Sequence, residues 1–157
     1  MRIEFLADHP EAIDPLARWH YDEWRELIPE WSYETARQEL ALHTGRATIP
    51  TTLVALEGTE VIGSASLLVE DLPEWKQFTP WVASVFVAPA WRGRSVGSRL
   101  VARAVEVAGK TGAATVYLLT PGQEAFYRRL GWSVVEVASN PERRVTIMSR
   151  PTGASSE

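Results

Sequence analysis

Arg92-Gly93-Arg94-Ser95-Val96-Gly97 brings positive charge, backbone freedom and a helix start together within six residues. Just upstream, Val85-Phe86-Val87 is a β-branched and aromatic run that predicts a strand buried on both faces. Pro89 has no N–H to donate and ends that strand's ladder. Downstream, Val96, Leu100, Val101, Ala104, Val107 and Ala108 recur at helical spacing, which predicts an amphipathic helix from near Ser95 toward Lys110. The first amides of a helix lack internal acceptors and carry partial positive charge. Gly93 and Gly97 let an anion approach that backbone, while Arg92, Arg94 and Arg99 add full charges. The chemistry implied is a cradle for a diphosphate at this loop. No G-x-x-x-x-G-K-[ST] or G-x-G-x-x-G spacing occurs there, so the loop is neither a Walker A nor a dinucleotide fingerprint.

The elements that position this loop follow from periodicity and punctuation. Residues 2–7 read as a first strand. Ile13, Leu16, Ala17, His20, Trp24, Leu27 and Ile28 follow helical spacing up to Pro29. Ser32 is an N-cap for a second helix over 35–43, closed by Gly45. Gly58-Thr59 joins strands 52–57 and 60–69 as a two-residue hairpin. A polar loop, 70–80, leads to the strand 81–87, and after the cradle helix come a strand over 115–119 and a short helix bearing Tyr127. Strands 132–138 and 143–148, joined across Asn140-Pro141, complete the chain. Ser155-Ser156-Glu157 is expected to be a frayed tail.

The composition bounds the function. In 157 residues there are no Cys, a formal net charge of −4, and 45% hydrophobic and 23% charged residues. Those values predict one domain, over 1–150 with a tail over 151–157, and the sum of the elements makes it mixed α/β. They exclude a disulfide framework and a thiolate nucleophile, and they give no electrostatic reason to bind nucleic acid or an anionic membrane. His9, His20 and His43 lack metal-ligand spacing. A cytoplasmic location is the default expectation without a signal peptide or membrane-length apolar run. Seven Trp residues favour a large pocket or interface, and Trp31 and Trp75 are candidate exposed ones, consistent with a monomer or a homodimer.

A second segment, Thr120-Pro121-Gly122-Gln123-Glu124-Ala125-Phe126-Tyr127-Arg128-Arg129-Leu130-Gly131-Trp132, follows in order. Together the two segments resemble the GCN5-related N-acetyltransferases, most strongly from Trp81 to Trp132. The resemblance implies a twisted, mostly antiparallel sheet of six to seven strands with about four helices. It also implies acetyl-coenzyme A as cosubstrate. Two parallel central strands splay, so that the backbone of Val85, Phe86 and Val87 pairs with pantetheine while Arg92, Gly93, Arg94, Ser95, Val96, Gly97 and Ser98 hold the diphosphate. Two positions depart from the family pattern. Ser95 stands where Gly is usual, and Thr120 stands where many members have an Asn that touches the cofactor.

Acyl transfer to an amine needs an oxyanion stabiliser, an acceptor for the amine proton and a proton for the thiolate. Tyr127 is the candidate proton donor, because a phenol with a pKa of about 10 keeps its proton at neutral pH. Where relatives often place a Glu on the central strand, this chain has Ala83 and Ser84. Glu70, Asp71 and Glu74 could reach the cleft or form a solvated loop. His20 could act as a base or be a hydrogen-bonded core histidine. The expected activity is direct acetyl transfer to a primary amine of a small molecule, peptide or protein. Acidic residues near the first helix (Glu23, Glu26, Glu30) and in the 70–80 loop favour a cationic acceptor. The alternative is a non-catalytic acyl-coenzyme A-binding or regulatory module on the same fold.

Overall fold

Gly58, at φ +61°, closes a hairpin between β2 (Thr51–Glu57) and β3 (Glu60–Leu68), the turn expected from Gly58-Thr59. The computed structural model describes residues 1–154 except Leu27, Pro29, Ala47, Pro141 and Glu142. The expectations placed on Leu27, Pro29, Pro141 and the 155–157 tail lie outside the described residues. β1 (Arg2–Phe5) flanks β2, and β4 (Trp81–Val87) flanks β3. β5 (Thr115–Thr120) follows in parallel, and β6 (Ser133–Asn140) and β7 (Arg143–Pro151) complete the far side. The sheet order is β1-β2-β3-β4-β5-β7-β6, antiparallel everywhere except between β4 and β5. Four α-helices cover the sheet among the described residues: α1 (Ile13–Trp24), α2 (Tyr33–Leu42), α3 (Val96–Lys110) and α4 (Glu124–Arg129). None is long and apolar enough to cross a membrane.

Alternation along β2 distributes its side chains to two cores. Leu53 and Ala55 join Leu100, Val101 and Ala104 of α3, whereas Val54 and Leu56 meet Leu16 of α1 and Leu40 of α2. Gly63 shows how tightly α3 lies on the sheet. A Cβ there would stand 2.8 Å from the Phe86 carbonyl oxygen and 3.1 Å from Leu100 Cδ1. This close approach fixes α3 against β3 and β4, and β4 feeds the 93–98 loop.

Several boundaries differ from expectation. α1 ends at Trp24 rather than continuing to Pro29. α2 starts on Ser32, whose hydroxyl accepts from the Thr35 amide at 3.0 Å as a cap should. It ends at Leu42, with the His43 amide bonding back to Leu40, so Gly45 is a loop residue and not the cap. β4 is not buried throughout. Trp81, Val82, Ala83 and Phe86 are buried, but Ser84, Val85 and Val87 are only half-buried. The cause is a bulge invisible to periodicity. Ser64 pairs with Phe86 and Ser66 with Ala83, so β4 spends one extra residue there, and Ser84 adopts φ +54°.

Candidate functional site

The bulge turns β4 away from β5. Their ladder contains one register pair among the described residues, Trp81 with Tyr117, reinforced by the Tyr117 amide on the Pro80 carbonyl at 3.0 Å. Past that point Val85, Phe86 and Val87 have no strand partner on the β5 side, and unpaired strand edges bind extended ligands through their backbone. The two parallel strands therefore open into a V.

At the end of β4 the chain makes a short turn, Pro89–Trp91, and enters the loop. Gly93 (φ +78°) and Ser95 (φ +64°) both take left-handed conformations, which makes a concave run of amides. Among the described residues, no N–H from Gly93 to Ser98 finds an acceptor, and the first that does is Arg99, on the Ser95 carbonyl at 3.1 Å. The loop also has room, since a Cβ on Gly93 would meet nothing within 4 Å. These features fit a diphosphate. Ser95 occupies the N-cap position of α3, but its hydroxyl makes no capping bond. Capping requires extended backbone at that residue, and the left-handed conformation forgoes it. The half-exposed Arg92 side chain reaches back to the end of β4 and to α1. Its Nε donates to the Val87 carbonyl at 3.0 Å, and its guanidinium pairs with Glu23 at 3.5 Å. Arg94 stacks over Trp91, 5.1 Å from the ring centroid.

α4 places Tyr127 across the V. Gly131 (φ +94°) ends this helix, with its amide on the Arg128 carbonyl and the Trp132 amide on the Tyr127 carbonyl, both at 3.1 Å. The Tyr127 ring meets Phe126 and Trp132 edge-on at 4.9 and 6.1 Å. Burial raises the phenol above its ordinary pKa, so it holds its proton at neutral pH. Thr120, buried at the end of β5, accepts the Gln123 amide at 2.9 Å and so organises the turn into α4.

Tyr127, Thr120, Ser84 and Val85 line one cleft of about 1390 Å³ that extends to α1, α2 and the 70–80 loop. Its walls include Glu23, Glu39, Glu70, Asp71 and Glu74, and no Lys or Arg among the described residues. Glu26 and Glu30 do not line it. Glu39, which sequence patterning did not single out, has its carboxyl pKa raised by burial. Trp31 and Trp75 are half-buried in the cleft wall rather than free on the surface. Trp31 Nε1 donates to the His20 carbonyl, and Trp75 stacks on Phe78, which stacks on Tyr117. This ladder carries the acidic loop onto the strand beside the opening. His20 is a hydrogen-bonded core residue, with Nε2 3.0 Å from Ser64 Oγ, and burial pushes its pKa down to about 4.

An open mixed sheet with one split parallel pair and an anion-ready loop at a helix start form a site suited to an extended, anionic ligand beside an acidic cleft. Residues 13–132 match the acetyltransferase (GNAT) family, and the chain belongs to that family. Solved structures similar to it include an aminoglycoside 6'-N-acetyltransferase complexed with coenzyme A (18% identity, 97% of each chain covered, TM-score 0.76). An aminoglycoside 6'-acetyltransferase type Ii (21% identity, 97% of each chain, TM-score 0.75) is also similar. A third is the aminoglycoside 6'-N-acetyltransferase from Enterococcus faecium (18% identity, 97% of each chain, TM-score 0.74). At these identities they establish the fold. No curated protein matches the chain in sequence.

Proposed function

We propose that this protein transfers the acetyl group of acetyl-coenzyme A directly to a primary amine of a small, multiply charged cation in the cytoplasm. The observation that carries this reading is the cleft wall, with five carboxylates, of which Glu23 is paired with Arg92, and no Lys or Arg among its described lining residues. Such a wall concentrates cations and orients an amine by its neighbouring charges. Three similar structures are named for aminoglycosides, which are amines of this kind.

Acetyl-coenzyme A supplies an acetyl group activated as a thioester. The open edge of Val85, Phe86 and Val87 binds the pantetheine arm, and the amides from Gly93 to Ser98 bind the diphosphate. Arg94 and Ser98 border that loop, Val96 and Gly97 begin its helix, and Thr120 stands on the opposite strand at the cofactor's reactive end. Arg92 acts through structure, tying the strand end to α1. Tyr127 donates its proton to the departing sulfur.

The deciding assay follows free thiol released from acetyl-coenzyme A with kanamycin, spermidine, a neutral primary amine and an acidic amino acid as acceptors. Kanamycin or spermidine is expected to react fastest. Thiol release with none of them, together with tight acetyl-coenzyme A binding, would establish the non-catalytic module instead.

A further inference from the structure

The reaction above needs a group that takes the proton lost by the acceptor nitrogen, and β4 offers only Ala83 and Ser84 where a carboxylate would serve. From that point a polar row crosses the sheet. Ala83 pairs in register with Ser66 on β3, and Ser66 pairs with Thr52 on β2. Residues paired in this way place their side chains on one face. Thr52 and Ser66 are both buried, and their hydroxyls lie 2.7 Å apart. Thr52 Oγ1 lies 3.0 Å from Nδ1 of His43, which follows the last residue of α2 and lines the same cleft as Ser66 and Tyr127. With Nδ1 held toward the sheet, Nε2 lies on the other side of the ring and has no partner among the described residues. His20 is different, since its Nε2 is already taken by Ser64 inside the core.

We infer that His43 is the general base for acetyl transfer, and that Thr52 and Ser66 are positioning residues that hold its imidazole with Nε2 free toward the cleft. This rests on the amine-acetylation reading. The amine lone pair forms the C–N bond to the acetyl carbon as the C–S bond breaks, and the amine N–H proton passes to Nε2. The imidazolium keeps its Nδ1–H on Thr52 Oγ1, and the Thr52 hydroxyl donates to Ser66. The sulfur takes the proton of Tyr127, and proton return through water from imidazolium to phenolate restores both groups.

Burial lowers the His43 pKa, so the ring is neutral and basic at pH 7. The titratable groups that line the cleft with it are Glu39 one turn earlier on α2, His20 and Glu23 from α1, Glu70, Asp71 and Glu74 from the 70–80 loop, and Tyr127 from α4, and among these His20 interacts with it electrostatically. β2 and β3 contribute only hydroxyls.

The test uses kanamycin and spermidine as acceptors and the full chain. His43→Gln should lower kcat by about 10²-fold or more, the usual contribution of a positioned base. It should bind acetyl-coenzyme A within about twofold of wild type. The rise of kcat/KM with pH below about 6.5 should disappear in this variant, and added imidazole should partly rescue His43→Ala. Glu39→Gln should raise KM and keep the acid limb. Thr52→Val should lower kcat, and Thr52→Ser should restore it. A His43→Gln enzyme with wild-type kcat and an intact acid limb overturns the proposal, and so does loss of the limb in Glu39→Gln alone. If His43 variants fail to bind acetyl-coenzyme A, the Thr52 pair decides, and equal rates for the valine and serine variants overturn it. Wild-type turnover with an inert His43 refutes the base alone, whereas absence of turnover with every amine refutes the underlying reading.

Discussion

Trp81 and Tyr117 are the last residues at which β4 and β5 pair, and the whole cleft opens from that contact. Their rings lie 5.9 Å apart, and Phe78 stacks on Tyr117 at 4.6 Å. The same contact thus joins the sheet where it splits and anchors the acidic 70–80 loop above the opening.

Tyr127→Phe keeps the ring against Trp132 and removes only the proton. Turnover should fall by up to about 10²–10⁴-fold, while acetyl-coenzyme A affinity changes by less than about 1 kcal/mol. Single-turnover kinetics together with calorimetry check this. An unchanged chemical step means that Tyr127 is not the donor, and a loss confined to affinity makes it a binding residue.

Gly97→Val and Ser95→Ala separate backbone from side-chain recognition in the proposed diphosphate contact. A Cβ on Gly97 would stand 3.5 Å from Val87 Cγ2 and 4.0 Å from Phe126 Cζ, so alanine fits and branched methyls press on both. Gly97→Val should weaken acetyl-coenzyme A binding by about tenfold or more, roughly 1.4 kcal/mol. Ser95→Ala should have little effect, because that hydroxyl makes no capping bond. Ser95→Gly should stabilise the fold by up to about 1 kcal/mol by relieving its left-handed backbone. Equal losses of affinity in Gly97→Val and Ser95→Ala, read by calorimetric titration, would assign the contact to the serine hydroxyl.

Preference for cationic acceptors should weaken as salt rises, since exposed charges are screened over about 10 Å at 0.1 M ionic strength. Glu70→Gln with Glu74→Gln should raise KM for spermidine and leave KM for a neutral amine nearly unchanged. A screen in which acidic acceptors react fastest contradicts the assignment of the cleft.

His20 should make the protein acid-sensitive. Its pKa is about 4 in the folded state, held down chiefly by burial and secondarily by His43, against 6.5 when unfolded. Between those values the unfolded chain binds a proton that the folded chain refuses, so stability falls as pH drops through the window. The shift corresponds to a loss on the order of 3 kcal/mol by pH 4. Thermal melts from about pH 7 to pH 5 should decline more steeply for wild type than for His20→Gln. Parallel declines would show that His20 does not titrate in this way.

The sequence by itself determined the local devices of this protein. Gly58 makes a turn, Ser32 caps α2 and Gly131 ends α4, because each depends on the conformational freedom or hydrogen bonding of a few adjacent residues. The helical period of Val96 to Ala108 likewise specified the buried face of α3. The tertiary structure decided what requires distant segments. The bulge at Ser84 arises from the register of β3 against β4, so the period of β4 alone could not show that Val85 and Val87 are only half-buried at the margin of the core. A serine at a helix start can cap it through its hydroxyl, but the path from β4 into α3 gives Ser95 a left-handed backbone that prevents this. Glu39 and His43 carried no motif, and they became cleft residues only because α2 ends beside β2 and the 70–80 loop. Spacing along a chain encodes one element's own geometry, whereas a site shared by two strands, two helices and a loop exists only after they pack.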